Sequence, residues 1–313
     1  MRRFVAARAV GAAVGALCAL GVLAAGCSGS AGSNARTTAA HPHSANRGAA
    51  LAGGPRYYLS LGDSLAVGVQ PDAGGASLPT GGGYPNRVFA VLHRESPGLR
   101  LVKLGCSGET SVTMIRGGIC HYPAGSQLAQ AERFLRAHHR QVALVTLDIG
   151  ANDPNACFLG APLSKIGVCM RSRVRETVVD LNKILAGLRA AGGRKVTIIG
   201  MNYYVPELAG WFDGQGGKEI AVLTERLVNG YNGLLVGAFR HFHVRVANVF
   251  RAFHSGDFTD HVRLAGIGRV PRNVATICQL TWACARAPRG PNEHANDTGY
   301  AIIALAFLLA DHR

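Results

Sequence analysis

The chain has 313 residues, 48% hydrophobic and 16% charged, and its Lys plus Arg outnumber Asp plus Glu 33 to 18, a formal charge of +15. That length and apolar content exclude a small disulfide-held peptide and a disordered chain. The charge invites a nucleic-acid partner, yet no nucleic-acid motif accompanies it. The arginines punctuate helical stretches such as 133–140 and 171–175 instead of forming one stripe, so the charge suits a solvated face near anionic lipid or wall polymer.

The chain opens on Arg2, Arg3 and Arg8, and an apolar, small-residue stretch runs from Ala9 to Ala25. This is the layout of a secretory signal. The end of the stretch, Leu23-Ala24-Ala25-Gly26-Cys27, resembles a bacterial lipoprotein box, with Ala24 where Leu is commoner. Lipidation of Cys27 would hold the protein at a membrane surface without a spanning helix; the alternative is a plain signal peptide with an incidental Cys. Residues 28–54, rich in Ser, Ala, Gly and Asn, read as a flexible tether. The expected organisation is therefore a leader over 1–27, a tether over 28–54 and one domain over 55–313.

Within that domain Arg56–Leu61 reads as a strand ending in Gly-Asp-Ser, Tyr84–Glu95 as a helix and Leu99–Leu104 as a second strand. Gln127–His139 reads as an amphipathic helix and Gln141–Leu147 as a third strand. Ser172–Ala191 repeats apolar residues at three and four and stops at Gly192-Gly193. Lys195–Ile199 is a fourth strand, Glu219–Phe239 a long helix and His243–Val249 a fifth strand, with a last helix starting near Asp297. Ala301–Ala310 is apolar but about half the length needed to span a bilayer. Strands alternating with helices, the central ones nearly all apolar, predict an α/β fold: a parallel sheet covered on both faces by helices.

In such sheets reactive groups gather at the C-terminal strand ends. Polar residues interrupt the pattern there: Gly62-Asp63-Ser64 after the first strand, Gly105-Cys106-Ser107-Gly108 after the second, Gly150-Ala151-Asn152-Asp153 after the third and Met201-Asn202-Tyr203-Tyr204 after the fourth. His294 precedes the last helix. Taken alone, Asp63 or Ser64 is equally a helix cap. Of eight Cys, Cys18 and Cys27 fall in the leader. The remaining six allow several connectivities, and nearest-neighbour pairing gives Cys106 with Cys120, Cys157 with Cys169 and Cys278 with Cys284. An exported setting and an even count favour disulfides.

Four blocks in order, YYLSLGDSLAVG, LGCSGETS, LVTLDIGANDP and HANDTGY, resemble the SGNH (GDSL) hydrolase family, and the Cys pairs make the chain look like its secreted actinobacterial lipases and esterases. The resemblance spans the whole domain and implies a three-layer α/β/α sandwich on a flavodoxin-like sheet. It implies Ser64 as nucleophile with Asp63 in support, His294 as base, and an oxyanion hole made by the N–H groups of Ser64 and Gly108 and the amide of Asn152. The chemistry agrees: a serine hydroxyl needs an imidazole to take its proton, and the tetrahedral intermediate needs preorganised donors.

The family's acid stands three residues before the histidine, and here that position is Pro291. Two repairs are open: the Pro291 carbonyl accepts the imidazole N–H, leaving a Ser-His dyad, or Glu293 bends round. Ala295 also departs from the family's Pro. Glu109, Asp153 and Asp148 read as structural acids. Trp282, Tyr203 and Tyr204 are either substrate rim or packing. No GxSxG elbow or P-loop occurs. His138-His139 and His241/His243 read as solvated basic faces, and the Cys and His spacings fit no zinc site.

The expected protein is thus an exported, membrane-anchored or secreted serine esterase or lipase, monomeric and without metal or organic cofactor. Fatty-acyl esters, lipids and acetylated glycans are all used in this family; a glycan O-deacetylase and a catalytically silent binding protein are the alternatives.

Overall fold

The computed structural model describes residues 56–154, Cys157 and 166–312. The leader, Cys27 and the tether lie outside them. The strands are β1 (Arg56–Gly62), β2 (Gln70–Pro71), β3 (Ser77–Leu78), β4 (Leu99–Lys103), β5 (Val142–Asp148), β6 (Thr197–Met201), β7 (Arg245–Ala247), β8 (His261–Leu264) and β9 (Gly268–Pro271). The described helices are α1 (Ser64–Val67), α2 (Tyr84–Glu95), α3 (Ser111–Arg116), α4 (Gln127–Ala137), α5 (Ile166–Gly192), α6 (Gly214–His241), α7 (Val249–Ala252), α8 (Arg272–Leu280) and α9 (Asp297–Asp311), with a 3-10 helix at Pro206–Phe212.

Five strands form one sheet in the order β4-β1-β5-β6-β7, every pair parallel, which is the flavodoxin-like order. In β1 the residues from Tyr58 to Gly62 are all buried, the mark of a strand covered on both faces. Helix α2 packs on α9, and α4 packs on α5, which packs on α6. Tyr84 of α2 stacks on Phe307 of α9, with centroids 4.5 Å apart. Cys106–Cys120, Cys157–Cys169 and Cys278–Cys284 are disulfide-bonded, the nearest-neighbour pairing. Among the described residues no helix is long and apolar enough to cross a membrane.

The main departures have local causes. The fifth sheet strand, Arg245–Ala247, is shorter than the strand expected over 243–249. His243 takes a left-handed φ of 52°, and Asn248 caps α7 by accepting the Arg251 N–H at 3.0 Å, which turns Val249 into a helical residue. Helix α6 starts five residues early, in a glycine-rich stretch of low helix propensity. Gly217 is needed there because a Cβ would lie 2.0 Å from the Gly210 carbonyl.

Candidate active site

The turn after β1 is held from below. Gly62 has φ +137°, and a Cβ there would lie 2.2 Å from the Asp148 carbonyl, so only glycine fits. Its N–H donates to Gln127 Oε1 at 2.6 Å, and Gln127 Nε2 donates back to its carbonyl at 3.0 Å. The same Nε2 reaches Glu109 Oε2 at 2.9 Å, tying the loop after β4 to the turn after β1. Gln127 is the first residue of α4, which Ser126 caps. No sequence motif marked it.

Asp63 caps the four-residue α1: its Oδ1 accepts the Leu65 N–H at 3.0 Å. Asp148, at the end of β5, accepts the N–H of Asp63 at 3.3 Å and of Ala66 at 3.2 Å through one oxygen, and the Tyr84 hydroxyl through the other. Ser64 is thus bracketed by two amides that share one buried acceptor. Both carboxyls are fully buried and adjacent. Two such carboxylates cannot both ionise. Burial pushes Asp63 up to about 6, and burial with the neighbouring Asp63 charge holds Asp148 well above the usual carboxylate range.

Gly108 takes φ +80°, and a Cβ there would meet nothing within 4 Å. Backbone conformation, not crowding, therefore demands glycine. Asn152 Nδ2 donates to the Glu109 carbonyl at 3.0 Å, linking the loops after β4 and β5. The other acids are structural, as expected. Buried Glu109 receives Gln127, and buried Asp153 accepts the Ser111 N–H and hydroxyl at the start of α3.

The histidine loop corrects the sequence reading at Pro291. His294 Nδ1 meets Asn292 Oδ1 at 2.8 Å, not the Pro291 carbonyl. The reason is an Asx-type turn: the Asn292 side chain folds forward, and Oδ1 also accepts the His294 backbone N–H at 3.0 Å. A backbone N–H only donates, so the facing atom is oxygen. Nδ1 must then carry the proton, which leaves Nε2 bare to act as a base. Asn292 is held in turn by Nδ2 donating to Ser77 Oγ at 2.8 Å and by its N–H donating to the Trp282 carbonyl at 3.2 Å. Glu293 Oε1 stands 3.7 Å from Nδ1 on a side chain 67% exposed. Burial pushes the His294 pKa below its ordinary value, and the Glu293 charge opposes the shift. Ala295, where proline was expected, is fully buried and bridges to Thr281, and the Trp282 N–H donates to the His294 carbonyl at 3.0 Å.

Ser64, Asn152 and His294 line one cavity of about 840 Å³, with Asp63 and Glu293 beside them. Gly108 is not among its lining residues. Tyr203 and Tyr204 are lining residues, and both are buried; Tyr204 donates to the Glu293 carbonyl at 2.8 Å and stacks on Phe253. Trp282 is not; its indole N–H donates to Gln70 Oε1 at 3.2 Å. Among the described residues no group of three or more His, Cys, Asp or Glu is placed to hold a metal ion.

A sequence model described as the GDSL-like lipase/acylhydrolase family matches residues 60–302. No curated protein matches the chain. Among solved structures, an extracellular lipase from Streptomyces rimosus superposes with a TM-score of 0.53 at 14% identity, covering 82% of this chain and 99% of that one. An acetyl xylan esterase from Geobacillus stearothermophilus superposes at 0.49 with 19% identity, over 82% and 95% of the two chains. An alpha/beta hydrolase enzyme from the metagenome of Lake Arreo, Spain, gives 0.49 with 20% identity, over 83% and 96%. At these identities the lipase likeness is one of fold.

Proposed function

The chain belongs to the GDSL-like lipase/acylhydrolase family, and from that premise we propose that it is an exported serine ester hydrolase working through Ser64 and His294. His294 Nε2 takes the Ser64 hydroxyl proton as Oγ bonds to the ester carbonyl carbon. The carbonyl oxygen becomes an oxyanion, met by the N–H groups of Ser64 and Gly108 and by the Asn152 amide. The intermediate collapses, the C–O bond to the alcohol breaks, and the imidazolium returns its proton to the leaving oxygen. Water then attacks the acyl-serine, giving a proton to Nε2, and collapse frees the carboxylic acid and restores Ser64.

The observation that carries this reading is the Asn292 contact to His294, which lines the same cavity as Ser64 and Asn152. It sets the tautomer the base needs without an acid. Asn292 replaces Pro291 as the orienting group, and as a neutral acceptor it stabilises the imidazolium less than a carboxylate does. Turnover of short p-nitrophenyl esters and labelling by a fluorophosphonate, both lost in Ser64→Ala, are the expected results. Turnover that survives Ser64→Ala, or no turnover at all, sinks the reading.

The proposal includes the arrangement along the chain: a leader over 1–27, a tether over 28–54 and the hydrolase domain over 55–313, with Cys27 lipidated. Full-length protein should then partition with membranes, and Cys27→Ser should release it. Equal partitioning of both forms would remove the anchor and leave the esterase.

A further inference from the structure

Beyond the reacting groups, much of the cavity wall comes from two helices. Helix α5 contributes Val174, Val178 and Val179, and α6 contributes Leu227, Val228 and Leu234. Val174 and Val178, four apart, and Leu227 and Leu234, seven apart, each share one face of their helix, with Val179 and Val228 next to them. Val179, Leu227 and Leu234 are 49%, 57% and 49% exposed, so they stand at the mouth with apolar surface in water. The arginines that also line the cavity, 171, 175 and 226, are exposed. The guanidinium charges therefore lie at the rim, and the half-buried Val174, Val178 and Val228 lie further in.

Resting on the esterase reading, we propose that the cleft between α5 and α6 holds the fatty chain of a medium- or long-chain acyl ester. An acetyl group would leave most of the roughly 840 Å³ unfilled. A glycan carries hydroxyls along its length, each needing a partner, and the valines and leucines of these two helix faces supply none. A methylene chain leaves no polar atom unpaired and covers the exposed valine and leucines. The ester carbonyl then lies at Ser64, at one part of the cavity, with the chain running between the helices. The arginines meet water or the polar part of the lipid.

The test is a p-nitrophenyl ester series from acetate through butyrate and octanoate to laurate, beside an O-acetylated xylooligosaccharide. Burial of a methylene favours binding by roughly fourfold, so kcat/KM should rise from acetate to octanoate by about 10²-fold or more. Val178→Trp, which fills the cleft, should lower the laurate-to-acetate ratio at least about tenfold. Leu227→Asp acts at an exposed position, where the fold tolerates charge, and should lower the same ratio. Equal turnover of all lengths, preference for the acetylated oligosaccharide, or an unchanged ratio in both variants overturns the acyl cleft; Ser64-dependent turnover then still supports the esterase. If no ester shows Ser64-dependent turnover, both readings fall together.

Discussion

The turn that carries Ser64 and the loop that carries His294 face one cavity but are held in opposite ways. The serine turn is fastened from the sheet. Asp148 takes the amides on either side of Ser64, Gln127 grips Gly62 by both its backbone groups, and every one of these partners is buried. The histidine loop is fastened near the surface by a half-buried asparagine that reaches an exposed serine, and by a short disulfide on the chain just before it. Carboxyls gather under the serine, where they fix backbone, and none makes a hydrogen bond to the imidazole. One neutral oxygen suffices to choose a tautomer; the serine turn is held by several buried acceptors at once.

This contrast predicts separable losses. Asp148→Ala leaves the Asp63 and Ala66 amides and the Tyr84 hydroxyl unpaired, so it should lower unfolding free energy by about 3–5 kcal/mol in urea titrations. A change under about 1 kcal/mol would mean that the turn is not held from the sheet. Asn292→Ala should cost about 10–100-fold in kcat, the worth of a hydrogen bond to a charged group, with little change in the thermal midpoint. If the midpoint falls as far as in Asp148→Ala, the two regions are not different in kind.

Acidity sharpens the same point. Asp63 has its folded-state value raised by burial, so the native state binds more protons than the unfolded one between about pH 4 and 6. The Asp63 contribution to stability is therefore fully present below that window and is lost as pH rises through it. Asp63→Asn keeps the cap and should flatten the slope, which calorimetry across the window would measure. Activity runs the other way. Turnover needs neutral His294, whose pKa burial lowers, so kcat/KM should hold to lower pH than an ordinary histidine allows and then fall. Asn292→Asp should move that acid limb up, because a carboxylate favours imidazolium. The smallest effect belongs to Glu293→Gln, which removes the opposing charge and should move the limb slightly down. A limb that ignores both substitutions would show that His294 does not govern it.

Much of this arrangement was legible in the sequence. Alternating apolar runs marked all five sheet strands, and the polar interruptions at their ends marked Ser64, Asn152 and the Gly108 loop, because a buried strand leaves few other places for such residues. The partner of His294 Nδ1 is Asn292 and not Pro291, because spacing from the histidine identifies a position, not the atom that folds back. Asn292 lies two residues before His294, where a short amide side chain reaches a backbone N–H, and that local signal was available. Gln127 and Tyr84 carried no such signal. Their partners lie 65 and 64 residues away, so only the closed sheet brings them together. Trp282, open in the sequence between substrate rim and packing, has its indole N–H taken by the distant Gln70.

The strand order has a consequence for how this site can vary. β1 lies between β4 and β5, so the Ser64 turn has the Gly108 loop on one side and the Asn152 loop on the other. Neighbouring strands sit about 4.8 Å apart, a distance fixed by backbone hydrogen bonds. The width across these three groups is thus a lattice constant of the sheet, independent of which side chains fill the rest of the molecule. The long helices that wall the cleft are free to diverge in sequence, and with them the ester that fits, while the gauge between the proposed nucleophile and its oxyanion donors stays the same.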